Sequence, residues 1–367
     1  MNDELDLLHQ TVNRFAEQHG GASVLRQRRA ASADDSSLFQ ACIEQGFHGV
    51  ALAEDRGGAG LGWPGLALLM RAGGRALIDF PVLSGVQLAA ECLQVCPDGP
   101  RQAALLAALA AGEQRVAVAW QSPLPHPDPY APAVSLTERG EGWVLNGESS
   151  HVLGLIGADQ VLVSAQGDTG LTLVGVRIDR PGLTVVPQQL IDHRNMGRLT
   201  LQDVSVLKTD LLCVAPRTSA LLDALLDAGR LGLAAQMMGG AQAAYDLTLD
   251  YLKTRQQFGV PIGSFQALQH RIANVFIRLQ LAEAALRQGV DAFAQGGRVR
   301  ARGAALAKAQ CGDAYALAAS EGVQMHGGIG VTDEHDMGFH LKAAQVGNML
   351  FGHADAMRSH WASLADY

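Results

Sequence analysis

The feature that most constrains this chain is a change in the spacing of its apolar residues, which switches near Arg115 and switches back near Thr218. Between those points VAVAW, WVLNG, QVLVSA, LTLVGVRI and LTVVP are short β-branched runs separated by Gly, Pro, Asn and Asp, the pattern of antiparallel strands. On either side, apolar positions recur every three or four residues. Leu268, Ile272, Val275, Leu279, Ala282, Leu286, Val290 and Phe293 form one stripe along a long helix. Upstream, the alanine-rich segments 66–76, 87–95 and 103–111 are broken by the turn-rich GGAGLGWPG. A period of two and a period of 3.6 cannot share an element. The expected fold is therefore α+β and multidomain. An N-terminal helical domain spans 1–114, a central antiparallel β-domain 115–210, and a C-terminal domain 211–367 whose helices over 218–255, 265–294, 299–325 and 338–364 form a four-helix bundle. Within the β-domain, Trp143 in GWVLNG is expected to anchor a hairpin whose turn is closed by Asn146-Gly147.

Composition narrows the function. With 48% hydrophobic residues among 367, the chain has ample material for a core, and its net charge of -8 includes no basic block that could displace counterions from a phosphate backbone. No nucleic-acid partner is expected. The N-terminus MNDELDLLHQTVNRF is acidic, with Leu5, Leu8, Val12 and Phe15 at helical spacing rather than in the unbroken apolar run of a signal peptide. No window is apolar and long enough to cross a bilayer, so a cytoplasmic protein without a membrane partner is expected. Five cysteines, an odd number, favour reduced thiols, and Cys92 and Cys96 lack nearby third and fourth ligands, so no metal is expected.

The stretch TRQQFGVPIGSFQALQHR, residues 254–271, interrupts the C-terminal helical pattern. Arg255 falls in the last turn of a helix, where the macrodipole favours a cation. A guanidinium beside a glycine turn and a following helix start also suits a phosphate or pyrophosphate. Ser264 is placed to cap the next helix. Met237, Met238, Ala241, Tyr245 and Leu249 read as a buried helix stripe, and Glu54 and Asp55 before Gly57-Gly58 as a turn.

YLKTRQQFGVPIGSFQALQHRIA, followed some fifty residues later by QMHGGIGVTDEH, resembles the C-terminal half of the acyl-CoA dehydrogenase family. The likeness extends upstream through GEGWVLNGESSHVLGLIGADQVLVSA to LAEDRGGAGLGWPG. The resemblance implies FAD lying extended between subunits and an acyl-CoA thioester as substrate. Arg255 and Phe258 would then meet the pyrophosphate of a flavin held mainly by a neighbouring chain. Gln324, Gly327 and Gly328 would line its adenosine side, glycine allowing the backbone close.

Two parts of the family pattern are missing. Where the family carries Thr-Glu-Pro and then Gly-Ser-Asp to hold the flavin of the same chain, this sequence reads AWQSPLPHPDPYAPAVSL, in which only Ser122 and Pro123 match and the prolines have no N–H to donate. The chemistry also needs a carboxylate base beside the ring. The two positions at which the family places it hold Phe351 and Gly229, the latter followed by Arg230; Asp227, Asp355 and His353 are the nearest substitutes in sequence. Retained contacts for a flavin in trans, with the cis cradle and the base both lost, point to a subunit that completes a heteromer with a full paralogue. A homo-oligomeric enzyme with a non-standard base and a flavin-free scaffold protein of the same fold are the alternatives.

Overall fold

A computed structural model describes residues 3–29, 34–123, 128–215 and 217–367. Among the described residues the α-helices α1 (Asp3–His19), α2 (Ala22–Arg28), α3 (Ser36–Glu44), α4 (Gly62–Arg75), α5 (Leu88–Val95) and α6 (Pro100–Ala110) come first. Eight strands follow: β1 (Val116–Ala119), β2 (Val134–Arg139), β3 (Gly142–Leu153), β4 (Gln160–Gly167), β5 (Gly170–Arg177), β6 (Leu183–Pro187), β7 (Met196–Val206) and β8 (Leu211–Val214). The chain then returns to helix with α7 (Arg217–Thr254), a small pair β9 (Gln256–Gln257) and β10 (Val260–Pro261), and α8 (Gln266–Phe293), α9 (Gly297–His326), α10 (Met337–Met349) and α11 (Ala354–Leu364). The helical, β, helical order follows the change of apolar period.

The strands form one sheet in the order β6-β7-β3-β2-β4-β5-β8, with β1 also on β4. It is mixed rather than purely antiparallel. β1 runs parallel to β4, from Val116 opposite Gln160 to Ala119 opposite Val163, and β2 meets β4 at a single parallel pair, Ser135 and Gln166. All four residues of β1 are buried, and the chain between β1 and β4 is long enough for the crossover that a parallel pair requires. The hairpin of Trp143 is present, but its turn is Gly140-Glu141, since Arg139 pairs with Gly142. Asn146-Gly147 instead sits inside β3 at an irregularity opposite β7. There Gly147 has φ +133°, and a Cβ would lie 2.2 Å from the Ala133 carbonyl. The Asn146 side-chain oxygen Oδ1 accepts the Asp203 N–H at 2.8 Å. What reads as turn chemistry serves a bulge.

The chain divides into two compact units, one of residues 31–62 and 80–228 and one of 1–30, 63–79 and 229–367, with the boundary falling inside α7. In the first, Leu145, Val161, Val163, Val174, Leu199 and Val204 fill the sheet's core, and Trp143 packs at its edge. The buried Arg115 guanidinium pairs with Asp35, which also accepts from Asn195 Nδ2 at 2.8 Å; the same amide group donates to the Ile156 carbonyl. In the second unit α4 crosses α7 backbone on backbone. A Cβ on Gly74 would lie 1.8 Å from the Gln236 carbonyl oxygen, and one on Gly239 1.9 Å from that of Arg71. α9 is flanked by α8, α10 and α11. The expected single helix over 338–364 is two helices, α10 and α11, because Phe351 (φ +56°) and Gly352 (φ +107°) take left-handed backbone that no α-helix accommodates. Lys308, fully buried on α9, donates from Nζ to the Gly352 carbonyl at 2.9 Å and to that of Asn348 at 3.5 Å, taking up carbonyls at this break.

Candidate functional site

The break at 255–265 is a miniature β-hairpin. Val260 pairs with Gln257 and Pro261 with Gln256, and the two residues between them, Phe258 (φ +55°) and Gly259 (φ +80°), are both left-handed, as a type I′ turn demands. Glycine suits this. Phenylalanine does not, and its ring is 92% exposed, so a strained residue is held with its side chain in the open. Arg255 follows directly on α7. Its backbone N–H reaches the Tyr251 carbonyl at 2.8 Å, while its exposed guanidinium has no hydrogen-bond or ion-pair partner among the described residues. Ser264 does not cap α8. Its hydroxyl donates to the Pro261 carbonyl at 2.8 Å within a short 3-10 turn, and Phe265 occupies the N-cap position.

The second motif arrives at the same end of its unit through a small apolar core. Leu252 and Ile262, on either side of the hairpin, join Met325, the neighbour of Gln324, with Tyr251, Leu268 and Ile272 around them. Gln324 is exposed near the end of α9. Gly327 (φ +66°) and Gly328 open the turn 327–331, and a Cβ on either would meet nothing within 4 Å. Packing within this chain thus gives no reason for Gly328, whose backbone is left open to an approaching group. An unpaired guanidinium, a presented aromatic ring and bare backbone on adjoining turns fit the ADP half of a dinucleotide. A cleft of about 1080 Å³ in the same unit, bordered by His9, Pro64, Arg71, Gln242 and Arg287, contains none of these residues.

The segment that stands where the family carries its cis cradle is tied to β3. The Gln121 carbonyl accepts both the Ser150 N–H and the Ser149 hydroxyl at 2.9 Å, and Ser122 is buried. Residues 124–127 lie outside the described residues. Beyond them Asp128 caps its own turn, accepting the Tyr130 N–H at 2.9 Å, and the Tyr130 hydroxyl donates to Asp223 on α7. Nothing in the sequence singled out this tyrosine, because its partner lies on an element far along the chain.

The two expected base positions face each other. A Cβ on Gly229 would sit 2.4 to 2.6 Å from three carbons of the Phe351 ring, so the ring fills the space a side chain at 229 would need. Arg230 turns its guanidinium to the Phe351 carbonyl (Nε, 3.4 Å) and to His360 Nε2 (3.2 Å). Of the substitutes, Asp355 is exposed and paired with Arg358 at 2.6 Å, and His353 is exposed with Nδ1 4.0 Å from Asp355. Asp227 is buried on α7.

Comparison with known proteins identifies the family. Residues 2–113 match the family model of the acyl-CoA dehydrogenase N-terminal domain, and residues 219–363 that of its C-terminal domain. Acyl-CoA dehydrogenase IpdE2 of Mycobacterium tuberculosis is 30% identical over 344 residues, covering 93% of this chain and 91% of IpdE2. The solved Tcur3481-Tcur3483 steroid ACAD superposes with a TM-score of 0.87 at 30% identity, covering 99% of this chain and 98% of the other. The ChsE4-ChsE5 complex of Mycobacterium tuberculosis shares the fold, with a TM-score of 0.89 at 24% identity over 100% of this chain and 98% of the other. Among the described residues no helix is long and apolar enough to cross a membrane. The chain belongs to the acyl-CoA dehydrogenase family, whose members are FAD-dependent flavoproteins that oxidise a CH–CH bond.

Proposed function

We propose that this chain is the base-lacking subunit of a heteromeric acyl-CoA dehydrogenase, in which a complete paralogue holds the flavin ring and this chain grips the ADP half of the same FAD. One observation carries the proposal. The Phe351 ring occupies the space where a side chain at Gly229 would stand, so neither expected position can present a carboxylate. The reaction removes the α-hydrogen of an acyl thioester as a proton and the β-hydrogen as a hydride, leaving a double bond between the two carbons. FAD, when bound, supplies the hydride acceptor. Arg255 would neutralise the pyrophosphate, Phe258 would lie against adjacent groups, and Gln324, Gly327 and Gly328 would border the adenosine. The proton must leave to a carboxylate of the paralogue, because a phenyl ring and a glycine offer no basic atom.

The exposed Phe276, Ile277 and Leu281 on α8 give an apolar stripe suited to cover by another subunit. The relatives add a direction. The Tcur3481-Tcur3483 protein is a steroid ACAD and ChsE4-ChsE5 is a complex of two named chains, which favours a two-chain enzyme and a steroid-derived acyl group for this protein. A cytoplasmic location goes with five buried, unpaired cysteines.

Co-expression with a paralogue that carries the glutamate tests the proposal. One FAD per pair of chains is expected, bleached by thioesters of the right acyl class, with little flavin and no bleaching in the isolated chain. Stoichiometric FAD and rapid bleaching in the isolated chain would favour the homo-oligomer with another base, and Asp227 would then be the buried carboxylate to mutate. A complex that forms without flavin would favour the scaffold.

A further inference from the structure

The turn after Gln324 is bracketed by two histidines that play no part in the reaction above. His326 ends α9 just before Gly327, and His335 follows the turn just before α10. Their ring centroids are 4.3 Å apart at 50°, and the Tyr251 ring of α7 lies 4.3 Å from His326. The hydrogen bonds fix the tautomers. His326 Nδ1 is 2.7 Å from the Gly322 carbonyl, which can only accept, so Nδ1 carries the proton and Nε2 a lone pair. That Nε2 is buried without a partner among the described residues. His335 Nδ1 accepts the Met337 N–H at 3.2 Å, which leaves its proton on Nε2.

We propose that His326 and His335 are positioning residues for the 327–331 turn: as a neutral ring pair they hold its backbone in the shape offered to the cofactor, and a proton on either ring releases it. The consequence for FAD rests on the reading that this turn meets the adenosine half. A proton on His326 would add a charge and an N–H without an acceptor to a buried place. A proton on His335 would set a cation against the His326 ring. Burial, foremost, lowers both histidines below their ordinary range; His335 pushes His326 the same way against the Gly322 hydrogen bond, and Arg26 lowers His335 against the pull of Asp336. The other charged groups around the pair are engaged. Arg26 and Asp336 are joined at 2.9 Å, Arg29 and Asp333 form the next pair along the turn, and Glu321, back along α9, is held by Arg271 at 2.5 Å. The Tyr251 ring would welcome a cation, and burial outweighs it.

The sign follows. With both folded values below the unfolded 6.5, the stabilising effect of the neutral pair is complete above about pH 6.5 and is lost as pH falls through 6.5 toward the folded values. Hydrogen exchange of the full chain reads this directly. Between pH 8 and pH 5.5, protection factors of amides 327–335 should fall, by up to about tenfold per pH unit for each proton taken up, relative to amides in the middle of α8. His340, buried and pushed down to about 4, adds its own loss below pH 6.5 only in an opening that also exposes α10, and comparison of the native chain with His335→Gln separates the two. In His335→Gln, which cannot be protonated, the fall should shrink or vanish, and His326→Gln provides a second neutral variant should the first fold poorly. An equal fall in both variants, or none in the native chain, overturns the proposal. In the FAD-loaded heteromer, flavin retention should follow the same pH course and lose it in His335→Gln. Retention indifferent to pH while protection falls would refute the coupling to cofactor. If no assembly of this chain holds FAD even at pH 8 but the exchange results hold, the latch stands and the cofactor reading fails.

Discussion

The hairpin at 255–265 and the Gly229–Phe351 contact lie in one unit and treat a missing atom in opposite ways. At the hairpin and the glycine turn the chain leaves groups unused: a guanidinium without an anion, a phenyl ring in water, and backbone that nothing covers. At Gly229 it leaves nothing unused, for the space beside the glycine is filled by an aromatic ring from the turn between α10 and α11. Unused chemistry implies something that arrives from outside. Filled space implies that nothing arrives. On the proposed reading, a base lost by filling is distinguishable from one lost by erosion, which would leave a void or a solvated polar residue.

Four substitutions sharpen or break this contrast, beginning at the filled site. Gly229→Ala should destabilise the native chain by about 1 to 3 kcal/mol through overpacking against Phe351. In a Phe351→Ala background the same change should become neutral or stabilising by up to about 1 kcal/mol, since alanine outranks glycine inside a helix. Urea unfolding of the four proteins of this cycle measures the coupling. An equal cost in both backgrounds would mean that the ring is not what excludes a side chain. At the open site, Arg255→Ala should weaken FAD retention in the heteromer by about 1 to 3 kcal/mol, roughly five- to 150-fold in Kd, without moving the unfolding midpoint of the chain alone. Unchanged flavin content on dialysis would remove Arg255 from the site. The smallest effect belongs to Phe258→Gly. Relief of the left-handed backbone should raise stability by up to about 1 kcal/mol while flavin retention falls. If both rise, the ring is not held open for the cofactor.

The sequence made the architecture legible where a local period decides it. The return to helix near 218 and the stripe on α8 depend only on neighbours three and four residues apart, and Val275, Leu279, Ala282, Leu286 and Phe293 are all buried. The Phe-Gly pair at 258–259 signalled a break correctly, though the hairpin it closes is too short to announce itself as strands. Asn146-Gly147 misled because the same left-handed preference serves a turn and a bulge, and only pairing with β7 decides between them. Ser264 misled because its hydroxyl found a carbonyl before it found an N–H. The parallel placement of β1 and the split between α10 and α11 depend on partners distant in sequence. So does the central fact of the candidate site. Gly229 and Phe351 could each be recognised as non-acidic, but their contact cannot be read from spacing, since no local rule links a glycine on α7 to a ring beyond α10.

The ring against Gly229 also works as a ratchet on the history of the chain. To regain a carboxylate at 229, the first step would drive a side chain into the Phe351 ring; to clear the ring first would open a hollow beside the glycine and leave a lineage with neither packing nor catalysis. Each single step is expected to cost stability, the first by overpacking and the second by leaving a cavity. On the proposed reading, a subunit in this state can drift in its surface and its acyl preference while depending on a partner for the base.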